Sequence, residues 1–317
     1  MKKIFSFLYL LLIVNLAAFS QQDPQFTNNM HYKLGVNPGY AGTEGTINGI
    51  IMNRYQWSGG EGAPVTLVFS ADAAIDAFGA PGGIGLNFVS DKLGYFNFSK
   101  VNLNYAYHKT VGLGKLGIGL SLGVVNSEIN PDKWVSTDDV FNGTEGGTGD
   151  PWIPQTEASQ LGLDLGAGLF LSSNKYYIGA SVTHLNQASV KYDEVENYFW
   201  ARHYYLTGGY NIKMSDPLFE LRPLFLFKTD LAGWQLDLNT NIVYNDRFWG
   251  GLTYRVQGAV ALLMGMEMEN GLRFGYSFDL TISKLASYGY GSHEIFISYS
   301  LNLEKNRNQK YKSIRFL

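Results

Sequence analysis

The feature that most constrains the fold of this chain is an alternation of apolar and polar side chains over unusually long segments. Residues 101–108 and 161–171 alternate in this way, and residues 235–245 do so with one interruption. A period of two indicates β-strands whose two faces meet different surroundings. Strands of soluble proteins usually have about five or six residues, whereas a tilted strand needs about nine to eleven to cross a bilayer. The segment lengths therefore favour a transmembrane β-barrel over a soluble sandwich.

The composition agrees with a strand-rich membrane protein. Charged residues make up only 16% of the chain, whereas ordinary soluble proteins have about 25%. The mean hydropathy is -0.08 although 45% of the residues are hydrophobic, so the apolar side chains are dispersed among polar ones. After residue 20 the sequence has no apolar stretch long enough for a spanning helix. If the chain crosses a membrane, we expect it to do so with strands.

Several classes of function are disfavoured by residue content. A net charge of -3 without a basic stripe argues against a nucleic-acid partner. The absence of cysteine excludes disulfides, thiolate metal sites and a cysteine nucleophile. We expect no cofactor, since the sequence contains no Walker-type phosphate loop. We also expect no bound metal, because the five histidines are scattered singly without metal-binding spacing. These histidines are His31, His108, His184, His203 and His293.

The first twenty residues have the organisation of a secretory signal peptide. Lys2 and Lys3 precede an apolar run over residues 4–16, and Ala18 and Ser20 supply small side chains before the expected cleavage site. The run is shorter than the roughly 20 residues of a spanning helix, which argues against an uncleaved anchor. We therefore predict a signal peptide over residues 1–20, cleavage after Ser20, and export to the outer membrane.

The alternating segments predict an all-β fold, a transmembrane outer-membrane barrel of about 14 antiparallel strands over residues 47–304. An even number of strands places both termini of a bacterial barrel on the periplasmic side. The three longest connections are the fifth, seventh and thirteenth, so all three lie at one end, as extracellular loops should. The predicted strands are 47–57, 65–74, 83–90, 98–108, 115–126, 160–171, 176–185, 201–212, 219–228, 233–245, 248–255, 258–267, 271–282 and 293–304.

Two segments lie outside the predicted strands. Residues 21–46 are rich in Asn, Gly and Pro, and form either a plug inside the lumen or a periplasmic segment beneath the barrel. Residues 305–317 form a short basic C-terminal tail, predicted to be periplasmic and solvated, with a docking peptide as the alternative. Polar residues of the strands are expected to face the lumen, where they suit either a channel or a hydrated, blocked interior. They include Asn102, Asn104, Asp237, Asn239 and Asn241.

Candidate chemistry is sparse. The nearest catalytic grouping combines Ser292, His293 and Asp279 around the last two strands. A nucleophile needs its base within about 3 Å and a third group to orient that base, and the sequence does not indicate this geometry. We therefore expect no enzyme. The acidic residues of the connection 127–159 lack the spacing of a known calcium loop, so a solvated loop is the favoured interpretation over calcium binding.

Short motifs spread along the chain give it a more specific resemblance. The chain resembles the PorP/SprF family of type IX secretion system membrane proteins from Bacteroidota. One departure is Gly39, where the family usually has alanine. The motifs that carry the resemblance are Gln22–Thr27, Val36–Gly42, Gln56-Trp57, Glu61–Pro64, Asp91–Gly94, His184–Gln187, Gly275–Asp279, Gly291–Glu294 and Arg315-Phe316-Leu317.

The resemblance implies a place in the secretion and gliding apparatus. It implies a non-enzymatic barrel that anchors or assists export of an adhesin-like surface protein and contacts periplasmic components. The alternative function is passive transport of small molecules by a FadL-like or porin-like barrel. If the chain serves secretion, its partner contacts would be loop and terminal residues. Those of the first and last loops are interpreted first as a packed structural seam and second as a contact for the secreted protein. The candidates are Glu61, Gly62, Ala63, Pro64, Ser292, His293, Glu294, Arg315, Phe316 and Leu317.

Overall fold

The computed structural model describes most of the chain beyond the predicted signal peptide. The described residues are 23–60, 62–77, 79–94, 96–112, 114–129, 158–192, 195–283, 286 and 289–302. The predicted signal peptide, the acidic residues of the fifth connection, Glu61 and the basic tail with Arg315, Phe316 and Leu317 lie outside them. Within the described residues, no helix combines the length and the apolar character needed to cross a bilayer.

Strands dominate the described chain, and its three short helices all precede the first strand. The helices are a 3-10 turn at Asn29–His31, an α-helical turn at Lys33–Val36 and a 3-10 turn at Pro38–Tyr40. The strands are β1 Ile47–Tyr55, β2 Val65–Ala77, β3 Ala80–Leu93, β4 Phe96–Val111, β5 Gly114–Ile129, β6 Ala158–Ser172, β7 Tyr176–Thr183, β8 Ser189–Tyr192, β9 Val195–Phe199, β10 His203–Tyr210, β11 Ile212–Lys213, β12 Phe219–Thr229, β13 Trp234–Tyr244, β14 Phe248–Arg255, β15 Ala259–Glu267, β16 Leu272–Thr281 and β17 Ser292–Leu301.

Fourteen of these strands close into a ring. Each pairs antiparallel with its neighbours, β7 pairs with β10, β10 pairs with β12, and β1 pairs with β17 to complete the circle. In this last pairing Ile47 lies opposite Leu301 and Tyr55 lies opposite His293. Closure leaves no sheet edge with unpaired backbone groups, which is what a sheet in lipid requires. The prediction of a 14-stranded antiparallel barrel is therefore confirmed.

Three elements were not predicted. Strands β8 and β9 form a separate two-stranded hairpin within the seventh connection, and β11 adds a two-residue pairing to β12. Several strands are also longer than predicted. The strand predicted over 83–90 runs from Ala80 to Leu93, because Pro81, Gly82 and Gly83 at its start hide the alternation. The three longest connections lie at one end of the barrel, as predicted, and we call this end the long-loop end and the other the short-turn end.

The two faces of the sheet differ as the alternation predicts. In β4, Leu103 is 63% exposed on the outer face, while its neighbour Asn104 is 6% exposed on the inner face. The other four residues predicted to face the lumen are also buried, which confirms that prediction. A barrel that is apolar outside and polar inside has the surface of a protein in lipid. The fold is thus a transmembrane barrel of the outer-membrane type.

Candidate functional site

The N-terminal segment occupies the lumen over most of its described length. We call residues 23–46 the plug. Asp23 lies at the long-loop end, where a carboxylate oxygen is 3.0 Å from Nε2 of His184, just after β7. Thr43 lies near the short-turn end, where its carbonyl accepts a hydrogen bond of 3.1 Å from Lys115 at the start of β5. These two contacts connect the described residues of the segment to groups near both ends of the barrel.

The first set of plug contacts is a buried group of charges that we call the arginine cluster: Arg54, Arg255, Asp237, Asp279 and Glu294. Arg54 on β1 donates to Asp279 on β16 at 2.8 Å and to Glu294 on β17 at 3.0 Å. Arg255 on β14 pairs with Asp237 at 3.0 Å and with Asp279 at 3.1 Å. None of the five side chains is more than 7% exposed.

The plug donates further hydrogen bonds to the carboxylates of the arginine cluster. The backbone N–H groups of Thr27 and Asn28 donate to the two carboxylate oxygens of Glu294, at 2.9 and 2.7 Å. The Thr27 hydroxyl donates to Asp279 at 2.8 Å. The cluster has three carboxylates against two guanidinium groups, so these donors stabilise the excess negative charge. A buried charge group of this kind is costly to break, since removal of one member leaves the others uncompensated.

The second set of plug contacts is the histidine cluster: Asp23, Asp164, His184 and His203. His184 lies between two carboxylates, with Nδ1 at 2.6 Å from Asp164 and Nε2 at 3.0 Å from Asp23. The backbone N–H of Asp23 donates to Nε2 of His203 at 3.2 Å. Ring centroids of the two histidines are 6.0 Å apart. The sequence places these histidines 19 residues apart, so their spacing gave no sign that the fold would bring the two rings together.

Positive charges around Asp23 determine its ionisation. Lys228 donates to the carbonyl of Asp23 at 2.9 Å, and Nζ of Lys100 lies 4.0 Å from its carboxylate. Burial acts to raise the pKa of Asp23, but the charges of Lys100 and His184 outweigh it and hold this pKa well below its ordinary value. Asp23 is therefore an anion, and the start of the plug is bound electrostatically.

Between its ends the plug contributes aromatic rings to the lumen. Phe26 and Tyr32 pack edge to face at 5.1 Å, and the Tyr32 hydroxyl donates to Asn87 on β3 at 2.7 Å. His31 packs on Phe296 at 4.6 Å between ring centroids and on Trp249 at 5.2 Å. These contacts bury the rings of Phe26 and Tyr32 inside the lumen, where the two residues are 8% and 3% exposed.

Close to the short-turn end, the backbone of the plug lies directly on the barrel wall. A Cβ atom on Gly39 would come within 2.9 Å of the carbonyl oxygen of Gly117 and 3.0 Å of that of Gly168. A Cβ atom on Gly119 would collide with the backbone of Pro38 and Gly39. Gly117 and Gly119 both face the lumen, and the close approach of the plug backbone explains why neither position carries a side chain.

The first and last loops are hydrogen-bonded to each other at the β1–β17 seam. The Trp57 N–H donates to the Ser292 hydroxyl at 3.1 Å, and the Ser58 N–H donates to the Gly291 carbonyl at 2.8 Å. The Gly94 N–H donates to the Gly62 carbonyl at 3.0 Å, which joins the first loop to the next one at the same end. The first loop is therefore hydrogen-bonded on both sides.

The candidate catalytic grouping does not assemble. Ser292 and Glu294 point into the lumen, whereas His293 lies on the other face of β17, with Nδ1 at 2.8 Å from the Tyr276 hydroxyl. Asp279 is engaged by both arginines of the arginine cluster. Adjacent residues of a strand point to opposite faces, so Ser292 and His293 do not form a nucleophile and base pair.

The family resemblance contains a signal for both clusters. Asp23, His184, Asp279 and Glu294 each lie in one of the motifs that carry the resemblance, although the motifs are far apart in sequence. The structure brings these motifs together around the plug. Reasoning from the residues missed the clusters because their spacing corresponds to no motif with a known chemistry.

A comparison with models of protein families identifies the family of this chain. A family model described as type IX secretion system membrane protein PorP/SprF matches residues 18–299. The chain belongs to the PorP/SprF family. It is therefore a membrane protein of a type IX secretion family with a β-barrel fold, as the motifs predicted. No curated protein matches the chain.

Solved barrels resemble the PorP/SprF chain at low identity. The toluene transporter TbuX of Ralstonia pickettii is 13% identical with a TM-score of 0.48, over 84% of this chain and 92% of that one. The β domain of the Bordetella autotransporter BrkA is 11% identical with a TM-score of 0.36, over 82% and 99%. A mutant porin of Rhodopseudomonas blastica is 10% identical with a TM-score of 0.34, over 81% and 99%.

Proposed function

We propose that this PorP/SprF protein serves type IX secretion as a closed, non-enzymatic outer-membrane barrel, which anchors or assists export of an adhesin-like surface protein. The observation that supports this most is the plug, which binds groups from β1, β7, β10, β16 and β17 inside the lumen. A blocked barrel offers partners its loops, turns and termini as binding surfaces. The predicted signal peptide would deliver the chain to the outer membrane.

The bonds of the plug favour a lasting blockage. Release of its N-terminal part would leave Glu294 and Asp279 without their plug donors and would separate Asp23 from His184. Buried charges that lose their partners cost several kcal/mol. A solute could pass through the lumen only if this part of the plug were released, which costs this free energy. The closed barrel is therefore the favoured state.

The surface proposed for the secreted partner is the first loop with its neighbours at the seam. Gly62 is exposed, and Ala63 and Pro64 are half-buried beside it. Ser292 and Glu294 are buried, so their proposed role is to fix the seam from within. Glu61 and the tail residues Arg315, Phe316 and Leu317 remain proposed contacts, the tail for periplasmic secretion components.

Passive transport is the second candidate, and one cavity favours it. A cavity of about 1190 Å³ lies below the plug at the short-turn end, with Lys115, Tyr177 and Arg273 among its lining residues. Such a vestibule would admit small molecules from the periplasm if the plug moved. A FadL-like or porin-like barrel would use this space as half of a pathway.

Affinity purification from native membranes in mild detergent tests the docking proposal. We expect the tagged barrel to retain a large surface protein and periplasmic secretion components, identified by mass spectrometry. Ala63→Arg should reduce recovery of the surface protein several-fold. Leu231→Arg is the matched control, because Leu231 is 69% exposed in another loop at the same end. Recovery of the barrel alone after crosslinking, together with steady conductance in a planar bilayer, would favour transport instead.

A further inference from the structure

The histidine cluster contains three potential metal ligands from distant parts of the chain. Asp23 belongs to the plug, His184 follows β7 and His203 begins β10. One carboxylate oxygen and one nitrogen from each ring lie within 4.8 Å of one another. His184 is 1% exposed and His203 is 3% exposed. Imidazole nitrogens with a carboxylate oxygen are the ligand types of many zinc sites.

Both imidazoles are oriented by a second partner. Nδ1 of His203 lies 2.9 Å from the carbonyl oxygen of Ala201, which can only accept, so this nitrogen carries the proton. Nδ1 of His184 lies 2.6 Å from the Asp164 carboxylate, which accepts in the same way. Each ring therefore directs Nε2 towards Asp23. Ligand histidines of metal sites are fixed by the same kind of bond from their other nitrogen.

We propose that Asp23, His184 and His203 bind a divalent transition-metal ion, with Zn²⁺ as the best match. The ion takes Nε2 from each histidine and Oδ1 from Asp23, and it displaces the 3.2 Å hydrogen bond that the Asp23 N–H donates to Nε2 of His203. Oδ2 of Asp23 stays bonded to the Tyr205 hydroxyl, which donates to it at 2.7 Å. Two histidines and one carboxylate make three protein ligands, so a tetrahedral ion keeps one position for water.

Space for that fourth position lies beside the ligands. A cavity of about 150 Å³ borders Asp23 and His203 and is also lined by Lys100 and Trp200. A volume of this size holds several waters, since one water occupies about 30 Å³ in the liquid. The cavity gives the ion its water ligand and a way into the site.

The charges around the site affect the binding of a cation in opposite directions. The carboxylates of Asp23 and Asp164 favour a cation, whereas Lys100 and Lys228 oppose it. The ion replaces the proton that His184 Nε2 and Asp23 share in their 3.0 Å contact, and this proton leaves to solvent. Bound metal would fasten the start of the plug to β7 and β10, whatever partner the barrel serves.

Zinc titration of the purified, folded barrel tests the site. The full mature protein in detergent is freed of metal with a chelator and titrated with Zn²⁺ by calorimetry, without any partner protein. We expect one ion per chain, and His184→Gln and His203→Gln should each weaken binding about tenfold or more. His108→Gln is the control, because His108 is also buried in the lumen but bonds to Ala41 elsewhere on the plug. This control should bind zinc as the wild type does.

Two further measurements keep the test decisive if a histidine variant does not fold. Lys100→Gln should tighten zinc binding several-fold, because it removes a positive charge 4.0 Å from a ligand oxygen. X-ray absorption of the zinc-loaded wild type should show two imidazole ligands. The proposal is overturned if the wild type binds no stoichiometric zinc, if Lys100→Gln has no effect, or if His108→Gln loses binding equally.

Discussion

The two ends of the plug are attached to the same barrel by different physical means. At the long-loop end, residues 23–28 are bound by buried charges of the arginine and histidine clusters. Near the short-turn end, residues 37–42 rest with their backbone on glycines of β3, β5 and β6. The first attachment consists mainly of buried ion pairs. The second combines polar contacts, such as the Gly42 N–H donating to Asp72 at 2.8 Å, with close packing of the plug backbone on glycines. Loss of a buried ion pair should therefore weaken mainly the first attachment, and added volume at a glycine mainly the second.

The ionic attachment also depends more strongly on each single member. Asp279 accepts from two arginines and from Thr27, so one carboxylate links three elements of the structure. Loss of one charge from such a group leaves its partners buried without a compensating charge, which is strongly destabilising. At the glycine contact, an added methyl group would displace the backbone only locally. The resulting destabilisation should therefore be smaller.

Removal of Arg54 should give the largest effect. Arg54→Met leaves Glu294 and Asp279 buried with less positive charge, and we expect a loss of about 3–5 kcal/mol in the free energy of unfolding. Urea unfolding of the refolded barrel measures this loss. Arg222→Met is the control, since Arg222 is 42% exposed in its pair with Glu220, and exposed pairs contribute about 0–1 kcal/mol. Equal losses in both variants would contradict the importance of burial.

A methyl group at the glycine contact should give an intermediate effect. In Gly119→Ala the new Cβ meets the backbone of Pro38 and Gly39, and we expect destabilisation by about 1–3 kcal/mol. The matched control is Gly49→Ala in β1, where an added Cβ has no atom within 4 Å. Urea unfolding and protease cleavage within the plug should respond only in the first variant. A response of the same size in Gly49→Ala would mean that β-strand propensity, not the plug contact, explains the effect.

Acidification should give the smallest effect of the three changes. It should act through His31, which lies between the two ends of the plug. Burial, with the charges of Arg273 and Lys33, lowers the pKa of His31 to about 3. The folded state therefore prefers neutral His31, and this preference contributes stability above the ordinary pKa of about 6.5 that is lost as the pH falls towards 3. Between pH 7 and 5.5 the loss from this group should be about 1 kcal/mol.

The matched variant for this pH effect is His31→Phe, which keeps a ring against Trp249 and Phe296. We expect its unfolding free energy to fall less than that of the wild type between pH 7 and 5.5, because the titrating group is gone. Parallel pH profiles of the two proteins would show that His31 is not the group responsible.

The barrel itself was predictable from sequence because its signal is local. Leu103 and Asn104 differ in exposure as their alternation requires, and this pattern recurs in strand after strand. Connection lengths then placed the longest loops at one end. The hairpin β8–β9 was missed because strands of four and five residues, inside a long connection, look like loop.

The plug and its clusters were not predictable in the same way. Residues 23–46 have no period, and the partners of Asp23 lie 161 and 180 positions away in sequence. Such contacts depend on closure of the whole ring, which no local pattern encodes. Family motifs marked Asp23, His184, Asp279 and Glu294, but motifs indicate which residues matter and not which residues touch.

The arginine cluster also constrains the order of events during folding. Arg54 belongs to the first strand, and its partners Asp279 and Glu294 belong to the last two, at separations of 225 and 240 residues. These bonds form only after synthesis of nearly the entire chain and after the first strand has met the last. Contacts of such long range are slow to form. The N-terminal segment is therefore among the first parts to be made and among the last to become fixed, and its docking marks a barrel that has finished assembly.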